Sequence, residues 1–156
     1  MSSGTQEEAA TQNLDGPIAS IYFPATSGLL EPELRPAPAG LDRAERTFWL
    51  AEQVVAGPQT SGLRPALPAG TEVASVFAAP SGTVFVDFTL SGETAGMGSR
   101  DELLALYSVI NTILGDDENA ERVVILINGR QRETLAGHVD TSQPLAARPD
   151  LIREAG

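Results

Sequence analysis

The chain has 156 residues, of which 42% are hydrophobic and none is cysteine, and its formal net charge at pH 7 is −11, with all basic residues arginine. This length fits one domain with a core of its own. The lack of cysteine excludes disulfides, thiolate catalysis and cysteine-ligated metals, and the acidic balance argues against partners such as nucleic acid or an anionic membrane, which require clustered cations.

The first 16 residues are small, polar and acidic, which is the composition of a disordered tether or linker. Met1–Gln12 lacks the apolar core of a secretion signal, and no run approaches the ~20 apolar residues that a membrane-spanning helix needs. Such a start fits a secreted protein without its export signal as well as a cytosolic protein. The residues alone therefore leave the location open.

The first predicted element is a strand, Ile18–Phe23. Ile21 and Phe23 would share its buried face, and Pro24 would end it because proline cannot donate to a ladder. Residues 28–36 place leucines among Glu and Pro. That pattern indicates a short irregular segment or an edge hairpin.

Asp42 begins a predicted helix that runs to Val55. Asp42 suits the N-cap, and Glu45 completes a capping box with it. Gly57 suits the left-handed cap, and Pro58 prevents continuation of the helix. The predicted apolar side consists of Leu41, Ala44, Phe48, Ala51 or Glu52, and Val55, widened by Trp49 and Leu50.

Residues 71–90 form a predicted hairpin. Its strands are Thr71–Phe77 and Thr83–Leu90, joined by the turn Pro80–Gly82. Asp87 lies on the polar face of the second strand and is expected to face water. The alternating apolar residues of that strand are Val84, Val86, Phe88 and Leu90.

The helix predicted between Ser99 and Gly115 organises the rest of the chain. Ser99 suits its N-cap with Glu102 as the capping-box partner, and Gly115 suits its C-terminal stop. The residues spaced as one helical stripe are Leu103, Leu106, Tyr107, Ile110, Ile113 and Leu114.

The continuous apolar run Val123–Ile127 predicts a central strand. Asn128 and Gly129 favour a two-residue hairpin turn, which needs positive φ at both positions. Arg130–Leu135 is therefore predicted to return as a strand. The tail, residues 137–154, is expected to wrap the edge of the sheet.

The predicted elements follow the order β-α-β-β-α-β-β. That order indicates an α+β fold in which a mixed β-sheet has two helices packed on one face. No internal repeat divides the chain. The sequence therefore predicts a tether over residues 1–16 and a single domain over residues 17–156.

His138, Asp140 and Ser142 are the residue types of a hydrolase triad, but their spacing does not suit one. On an extended segment their Cβ atoms would lie about 6.6 Å apart, beyond direct hydrogen bonding. Triads gather residues from separate loops, and no Gly-x-Ser-x-Gly elbow is present. We therefore interpret His138 as a surface or half-buried residue beside a turn-stabilising Asp140, and we predict no catalytic residue and no enzyme.

The acidic segment Asp116–Asn119 offers oxygen ligands for Ca²⁺ but lacks the spacing of a calcium loop. A solvated loop after the helix is the preferred interpretation. The glycines of Gly92–Gly98 precede no phosphate-binding lysine. The sequence therefore predicts no metal site and no cofactor.

Aromatic and basic residues give only weak indications of a binding surface. Phe48, Trp49 and Tyr107 could line a pocket, but on helices with apolar stripes such residues more often belong to the core. Arg130 and Arg132 stand two apart on a predicted edge strand. Charges there are typical of protection against edge pairing rather than of a contact surface.

Several segments follow one another in a recognisable order and spacing. They are Ile21–Pro24, Leu30–Arg35, Gly57–Pro58, Leu67–Thr71, Gly82–Val84, Val86–Phe88, Asn111–Leu114, Val123–Gly129, Gly137–Asp140 and Pro144–Leu145. In this order the chain resembles the GerMN domain, found in sporulation and spore-germination proteins of the GerM type and in related cell-envelope proteins. The resemblance covers about residues 18–152. Asn128 departs from the pattern, since an acidic residue is expected before the turn glycine.

The resemblance implies that residues 17–156 form a GerMN-like, non-catalytic α+β module outside the cytoplasm, similar to ring-building domains. Many members are tethered by a lipid or a membrane segment. The implied partners are envelope proteins or further copies of the chain. Membrane contact would come only through an N-terminal anchor upstream of this sequence.

Two alternatives to a protein-interaction domain belong to other functional classes. One is a module that binds a cell-wall glycan or small ligand through loops near Trp49, Tyr22 or Gly92–Gly98. The other is an enzyme centred on His138 and Asp140. The surroundings of these residues in the fold bear on both.

Overall fold

A computed structural model describes residues 17–92, 94 and 96–154. Within this part the elements follow the order β-β-α-β-β-α-β, with a 3₁₀ turn, Pro149–Leu151, near the end. The predicted tether, residues 1–16, lies outside the described residues. The strands are β1 (Ile18–Pro24), β2 (Leu30–Pro36), β3 (Glu72–Ala78), β4 (Thr83–Thr89) and β5 (Arg122–Ile127), and the helices are α1 (Arg43–Ala56) and α2 (Ser99–Asp116).

The strands divide between two sheets. β1 and β2 form an antiparallel pair in which Ile21 lies opposite Glu33. In the second sheet β4 lies between β3, which is antiparallel to it, and β5, which is parallel to it. The predicted α+β class with a mixed sheet is therefore confirmed, with the strands distributed over two sheets.

One core joins both sheets to both helices. Val84, Val86 and Phe88 of β4 are buried in it, as their alternation predicts, whereas Phe85 is half-buried on the other face of the strand. Helix α1 contacts β3, and α2 contacts β1 and β5. Further members of the core are Ile21, Phe23, Leu50, Val54, Leu104, Ile110, Ile113 and Ile125.

β2 is a regular strand, although its sequence left a choice between an irregular segment and an edge hairpin. Its inward positions hold the charged residues Glu33 and Arg35, and its outward positions hold Pro32, Leu34 and Pro36. This polarity is the reverse of the usual half-buried strand, so alternation of apolar residues could not reveal it. Proline is tolerated at an edge because its missing N–H can face away from the partner strand.

The prediction that Val123–Ile127 is the central strand is wrong, because β5 lies at the end of the strand order. β5 is nevertheless largely buried. Part of its outer edge is covered by the tail, where Val123 and Leu145 exchange two N–H···O hydrogen bonds of 2.8 and 2.9 Å. A strand that is covered on both faces and one edge acquires the continuous apolar composition of a central strand.

The ends of α1 are as predicted. The Asp42 carboxylate accepts the N–H of Glu45 at 2.8 Å, and the Glu45 carboxylate accepts the N–H of Asp42 at 3.0 Å. Gly57 ends the helix with a φ of 88°, which glycine adopts without a steric penalty. The capping box and the glycine stop are both confirmed.

Replacing Asp42 by Ala is expected to lower the free energy of unfolding by about 1 kcal/mol, since the N–H of Glu45 loses its acceptor at an exposed helix end. Urea unfolding at pH 7 measures the difference. Asp42→Asn keeps an acceptor oxygen and is expected to retain most of the stability. Equal unfolding midpoints for Asp42→Ala and the unmodified chain would show that the cap contributes nothing.

The predicted apolar face of α1 is displaced from the face that is buried. Ala44 and Glu52 are exposed, and Phe48 is only half-buried. The buried residues are Thr47, Leu50, Ala51 and Val54. Thr47 fits this face because its hydroxyl donates to the carbonyl of Arg43 at 2.9 Å, so that no polar atom is left without a partner.

The predicted ends of α2 are wrong. Gly98 is the N-cap and Ser99 is already helical, so Ser99 and Glu102 form no capping box. The helix also continues through Gly115, and Asp117 is its C-cap. The last turn extends past the glycine because carboxylates there are bound by arginines of α1, as described below.

Helix α2 is buried on all sides rather than along one stripe. Every residue of Leu104–Ile113 is buried, polar Asn111 and Thr112 included, whereas Leu103 and Leu114 are half-buried. Neighbours surround the helix, since it contacts β1, β5, α1 and the 3₁₀ turn. Across the described residues, no helix combines the length and the apolar composition needed to cross a bilayer.

The turn after β5 is confirmed, but the strand predicted to follow it is wrong. Asn128 and Gly129 have φ values of 52° and 81°. Ile127 and Arg130 exchange two backbone hydrogen bonds of 2.8 and 3.1 Å across the turn. No further strand follows within Arg130–Leu135, because backbone N–H groups around its end bond to a side chain of α2 instead of a ladder.

The tail covers strand edges, as expected, at β5 through Leu145 and at β2 through Arg153. Asn111 of α2 fixes it, since its side chain accepts the N–H of Arg148 at 2.9 Å and donates to the Arg148 carbonyl at 3.1 Å. The N–H of Arg153 then donates to the carbonyl of Leu30 at 2.8 Å, beside a parallel bridge between Leu30 and Ile152. The tail thus covers the start of the β2 edge.

Candidate functional site

The residues of the hypothetical triad do not come together. Ser142 donates through its N–H and its hydroxyl to Oδ1 of Asp140, so Asp140 stabilises its own turn. The ring of His138 lies against Glu102 instead, with Nδ1 2.9 Å from Oε1, and 42% of the His138 side chain is exposed. Among the described residues the ring has no hydroxyl partner, so nothing there activates a serine.

Glu102, in the first turn of α2, holds the loop that carries His138. The Glu102 side chain is completely buried. Its carboxylate accepts four backbone N–H groups, from Leu135 (3.1 Å), Ala136 (2.9 Å), His138 (2.9 Å) and Val139 (3.2 Å). We call residues 134–139 the Glu102 loop. A single side chain thus replaces the strand ladder that this segment lacks.

The pKa of Glu102 is lowered. Burial alone would raise it, but hydrogen bonds from the N–H groups of Ala136 and Val139, and from the ring and N–H of His138, outweigh that effect. The group is therefore an anion at neutral pH and is saturated with donors. It lacks the proton of a general acid and the free oxygen of a general base, so its role is to position the loop.

The local sequence does not reveal this role of Glu102. Its position three residues after Ser99 matches a capping box, and that local explanation satisfied the carboxylate without the distant loop. The available signal is a charged residue directly before the apolar run Leu103–Leu106. It indicates that the carboxylate needs a partner, but it does not identify the partner.

A second buried charge, on Arg35 of β2, binds the end of α1. Its Nε donates to Glu33 at 2.8 Å, and Nη1 donates to the Gln53 side chain at 2.9 Å. Nη2 donates to the carbonyl of Gly57 at 2.7 Å. The guanidinium also lies over the ring of Phe23, 5.4 Å from its centre. Arg35 thus caps the Gly57 carbonyl, which the helix leaves without an internal partner.

Glu33 joins the same cluster to the loop after α1. Its Oε1 accepts the N–H groups of Gln59 and Thr60, each at 2.8 Å, while Oε2 pairs with Arg35. Burial would raise its pKa, but the bonds from Thr60, Arg35 and Gln59 outweigh burial and hold the pKa at about 2. The Glu33–Arg35 pair is a structural clasp.

The acidic segment after α2 is occupied by arginines of α1. Arg46 makes two bonds of 2.7 Å to the carboxylate of Asp116, and Arg43 makes one of 2.7 Å to Asp117. Asp117 also accepts the N–H of Asn119 at 2.9 Å. In the described part of the chain, no group of three or more His, Cys, Asp or Glu side chains could hold a metal ion.

Millimolar Ca²⁺ is expected to leave the melting temperature unchanged, because the guanidinium groups of Arg43 and Arg46 already occupy the carboxylates that a cation would need. Calorimetric melting with CaCl₂, against NaCl of equal ionic strength as the control, tests this. A rise in melting temperature specific to Ca²⁺ would mean that the arginines are displaced and that the segment is a calcium site.

The aromatic residues considered for a ligand site belong to the fold. Trp49 and Tyr22 are half-buried and pack against the core, and Tyr107 is buried. Arg130 and Arg132 are exposed in the turn and loop after β5. The prediction that these arginines protect an edge strand is therefore wrong, since no strand forms there.

Comparison with protein families gives a match over most of the chain. A family model named Germane and described as "Sporulation and spore germination" matches residues 20–133. No curated protein sequence is significantly similar to this chain.

Solved structures with the same fold include proteins from two bacteria. The first GerMN domain of the sporulation protein GerM from Bacillus subtilis has a TM-score of 0.68 at 23% identity, covering 86% of this chain and 99% of that one. A candidate lipoprotein from Clostridium perfringens has a TM-score of 0.59 at 20% identity, covering 86% and 90%. The tandem GerMN domains of the same GerM give a TM-score of 0.68 at 22% identity, covering 86% of this chain and 47% of that one.

Proposed function

Since this chain belongs to the sporulation and spore germination family, matched over residues 20–133, we propose that it is a non-catalytic protein-interaction domain of the bacterial cell envelope. It works outside the cytoplasm and is anchored through another part of its protein. Its contribution to sporulation or germination is to hold other proteins, not to transform a substrate.

The observation that carries the non-catalytic part is the use of the candidate residues within the fold. Asp140 stabilises a turn, and Glu102 is saturated by the loop that carries His138. Glu33 is paired with Arg35 and helix-terminal backbone. A catalytic group needs a free proton or lone pair facing a substrate, and the buried carboxylates of Glu102 and Glu33 face the protein.

Support for the envelope comes from the structural relatives. One is a domain of a sporulation protein, and another is a candidate lipoprotein of the same fold. A lipoprotein is held at a membrane from outside the cytoplasm by its lipid.

Labelling of a unique cysteine tests the location. The chain has no cysteine, so Gln143→Cys, at an exposed position in the tail, introduces the only thiol into this domain. The native gene carrying this change is expressed in its host, and a membrane-impermeant maleimide is added to cells whose cytoplasmic membrane is intact. Ser108→Cys, at a completely buried position, is the matched control.

Labelling of Gln143→Cys before lysis, with Ser108→Cys labelled only after denaturation, is the expected result. Labelling of Gln143→Cys only after lysis would place the domain in the cytoplasm and overturn the envelope assignment. Labelling of both variants in intact cells would mean that the domain is unfolded there, which also contradicts the proposal.

A further inference from the structure

β3 ends its sheet with an open edge. The register pairs Phe77 with Phe85 and Ser75 with Asp87, and the N–H of Ala79 donates to the carbonyl of Thr83 at 2.9 Å. In an antiparallel ladder, residues alternate between bonding to the partner and facing away. The N–H and C=O groups of Val76 and Ala78 therefore point away from β4, and no described element lies beyond them in the sheet.

The other sheet has a blocked edge. On β2, two of the three outward positions hold proline, Pro32 and Pro36, which have no N–H to offer a new strand. At Leu30 the tail already occupies the edge, through the bond from Arg153. β3 contains neither proline nor a basic residue, which are usual protections of an edge strand, and its register irregularity, between Val73 and Ser75, precedes the outward-pointing Val76 and Ala78. The contrast marks β3 as the edge at which pairing is permitted.

The open edge lies beside exposed apolar surface. Phe77 is 61% exposed and lies 6.1 Å, centre to centre, from the ring of Phe85. On the other side of the edge, Val55 and Val73 line an open groove of about 310 Å³ next to α1. An added strand would find an apolar contact on each of its faces, one at Phe77 and one in this groove.

Two carboxylates stand at the start of the same edge. Glu52 of α1 and Glu72 of β3 are both exposed and both line the groove. Neither takes part in an ion pair within the described residues, whereas acids elsewhere, such as Asp116, are bound by arginine. A basic side chain at that end of an added strand would therefore meet two free negative charges.

We propose that the β3 edge binds an extended segment of a partner protein, which adds a fourth, antiparallel strand. The segment alternates apolar side chains, and it carries a Lys or Arg near its C-terminal end, which antiparallel pairing places beside Glu72 and Glu52. This inference rests on the proposed function and gives it a surface. It identifies the partner by chemistry: an extended, apolar peptide with a basic C-terminal end.

A second copy of this chain fits the edge less well. Antiparallel pairing of two β3 strands would bring Glu72 of one copy to the Pro80–Gly82 turn of the other. The carboxylate of Glu121 lies at that turn, since it would be 3.0 Å from a Cβ on Gly82. Like charges across a strand pair are destabilising, and a net charge of −11 adds to the repulsion.

The test uses the purified chain and a short synthetic peptide of alternating Val and Thr with Lys at its C-terminal end. Fluorescence anisotropy of the labelled peptide measures affinity, and backbone NMR measures exchange of the Val76 and Ala78 amides. A second peptide has Glu in place of Lys. Ala78→Pro removes an outward N–H without breaking a bond to β4, and Leu34→Pro makes the same change on the blocked β2 edge as the matched control.

The expected result is saturable binding of the Lys peptide with slowed exchange at Val76 and Ala78. Binding should be weakened roughly tenfold by Ala78→Pro, corresponding to one lost hydrogen bond, and unchanged by Leu34→Pro. The Glu peptide should bind more weakly than the Lys peptide, and added salt should reduce that difference.

The proposal would be overturned if Ala78→Pro and the unmodified chain bind the Lys peptide equally well while circular dichroism shows that both are folded. It would also be overturned if the Lys peptide does not bind at millimolar concentration. A dimer in analytical ultracentrifugation that Ala78→Pro dissociates would show a second copy as the occupant and would also overturn it. None of these outcomes bears on labelling of Gln143→Cys, so the envelope assignment is tested separately.

Discussion

Glu102→Ala is expected to lower the free energy of unfolding by about 3–5 kcal/mol, the range typical of breaking a buried charged interaction. The substitution removes the acceptor of four backbone N–H groups at once. Buried donors without partners are unfavourable, and the Glu102 loop has no ladder to hold it. Guanidinium chloride unfolding at pH 7, followed by circular dichroism, measures the difference.

Two further variants separate the stabilisation by the backbone hydrogen bonds from the stabilisation by His138. His138→Ala removes one bond to the carboxylate and leaves all four backbone N–H donors paired. Because this side chain is half-exposed, a loss of about 1 kcal/mol or less in the free energy of unfolding is expected. Glu102→Gln keeps the size and, with its amide oxygen at the Oε2 position, the acceptor of the Leu135, Ala136 and Val139 N–H groups, but it turns an NH₂ group toward His138. A loss smaller than that of Glu102→Ala is therefore expected. Unfolding of Glu102→Ala at the same denaturant concentration as the unmodified chain would refute this role.

The pH dependence of this contribution has a definite sign. Because the folded-state pKa of Glu102 is lowered, its stabilisation is complete above the ordinary pKa of a glutamate. It is lost as the pH falls through the lowered folded-state pKa. The difference in unfolding free energy between the unmodified chain and Glu102→Ala should therefore shrink on acidification. A difference independent of pH would contradict the charge-based account.

Arg35→Met is expected to lower the free energy of unfolding by about 3–5 kcal/mol, since it leaves Glu33 buried without its cation. It also removes the donors to Gln53 and Gly57 at the end of α1. Methionine keeps the contact with Phe23, so the loss reports the charge and its hydrogen bonds rather than lost packing. Urea unfolding at pH 7 measures it.

The matched control for Arg35→Met is the double variant Glu33→Gln with Arg35→Met. Removing both charges should recover part of the stability, because the unpaired buried carboxylate is gone. The contrary result would be a double variant whose unfolding free energy lies below that of Arg35→Met by the whole loss that Glu33→Gln causes alone. That result would show that the two residues act independently.

Glu33 adds an acid transition of its own. Its pKa falls from an ordinary 4.5 to about 2 in the folded chain, so its stabilisation is present above pH 4.5 and is lost as the pH falls toward about 2. Loss of Arg35 removes one of the bonds that lower this pKa. The acid transition of Arg35→Met should therefore begin at higher pH than that of the unmodified chain.

Local chemistry made parts of the fold predictable. The capping box of Asp42 and Glu45, the Gly57 stop and the Asn128–Gly129 turn each depend on a few neighbouring residues, and each is confirmed. The β3–β4 hairpin was also predictable, because the alternating apolar residues of β4 and the turn residues Pro80–Gly82 both indicate it. In these places, one short stretch contains both partners of the interaction.

The errors fall where the partner is distant in sequence. Glu102 has a plausible local partner in Ser99, but its actual partners are more than 30 residues away. β2 was hard to recognise because its inward charges, Glu33 and Arg35, are satisfied by the end of α1. The extension of α2 past Gly115 depends on arginines of α1. No local pattern contains these pairings.

The candidate functional surface was less predictable than the fold. The β3 sequence shows a strand, but its open edge follows from the strand order of the whole sheet. The contrast with the prolines of β2 is likewise visible only after β2 is known to be an edge. For function, order and spacing of segments identified the family resemblance, which the match over residues 20–133 confirms.

The central claim is that the buried charged residues Glu33, Arg35 and Glu102 serve the fold, while the β3 edge stays open for a partner. Amide hydrogen exchange of the unmodified chain at neutral pH tests both halves in one sample. The account predicts strong protection at Leu135 and Ala136, which Glu102 binds, and fast exchange at Val76 and Ala78. Fast exchange in the Glu102 loop together with protection along the β3 edge would contradict it.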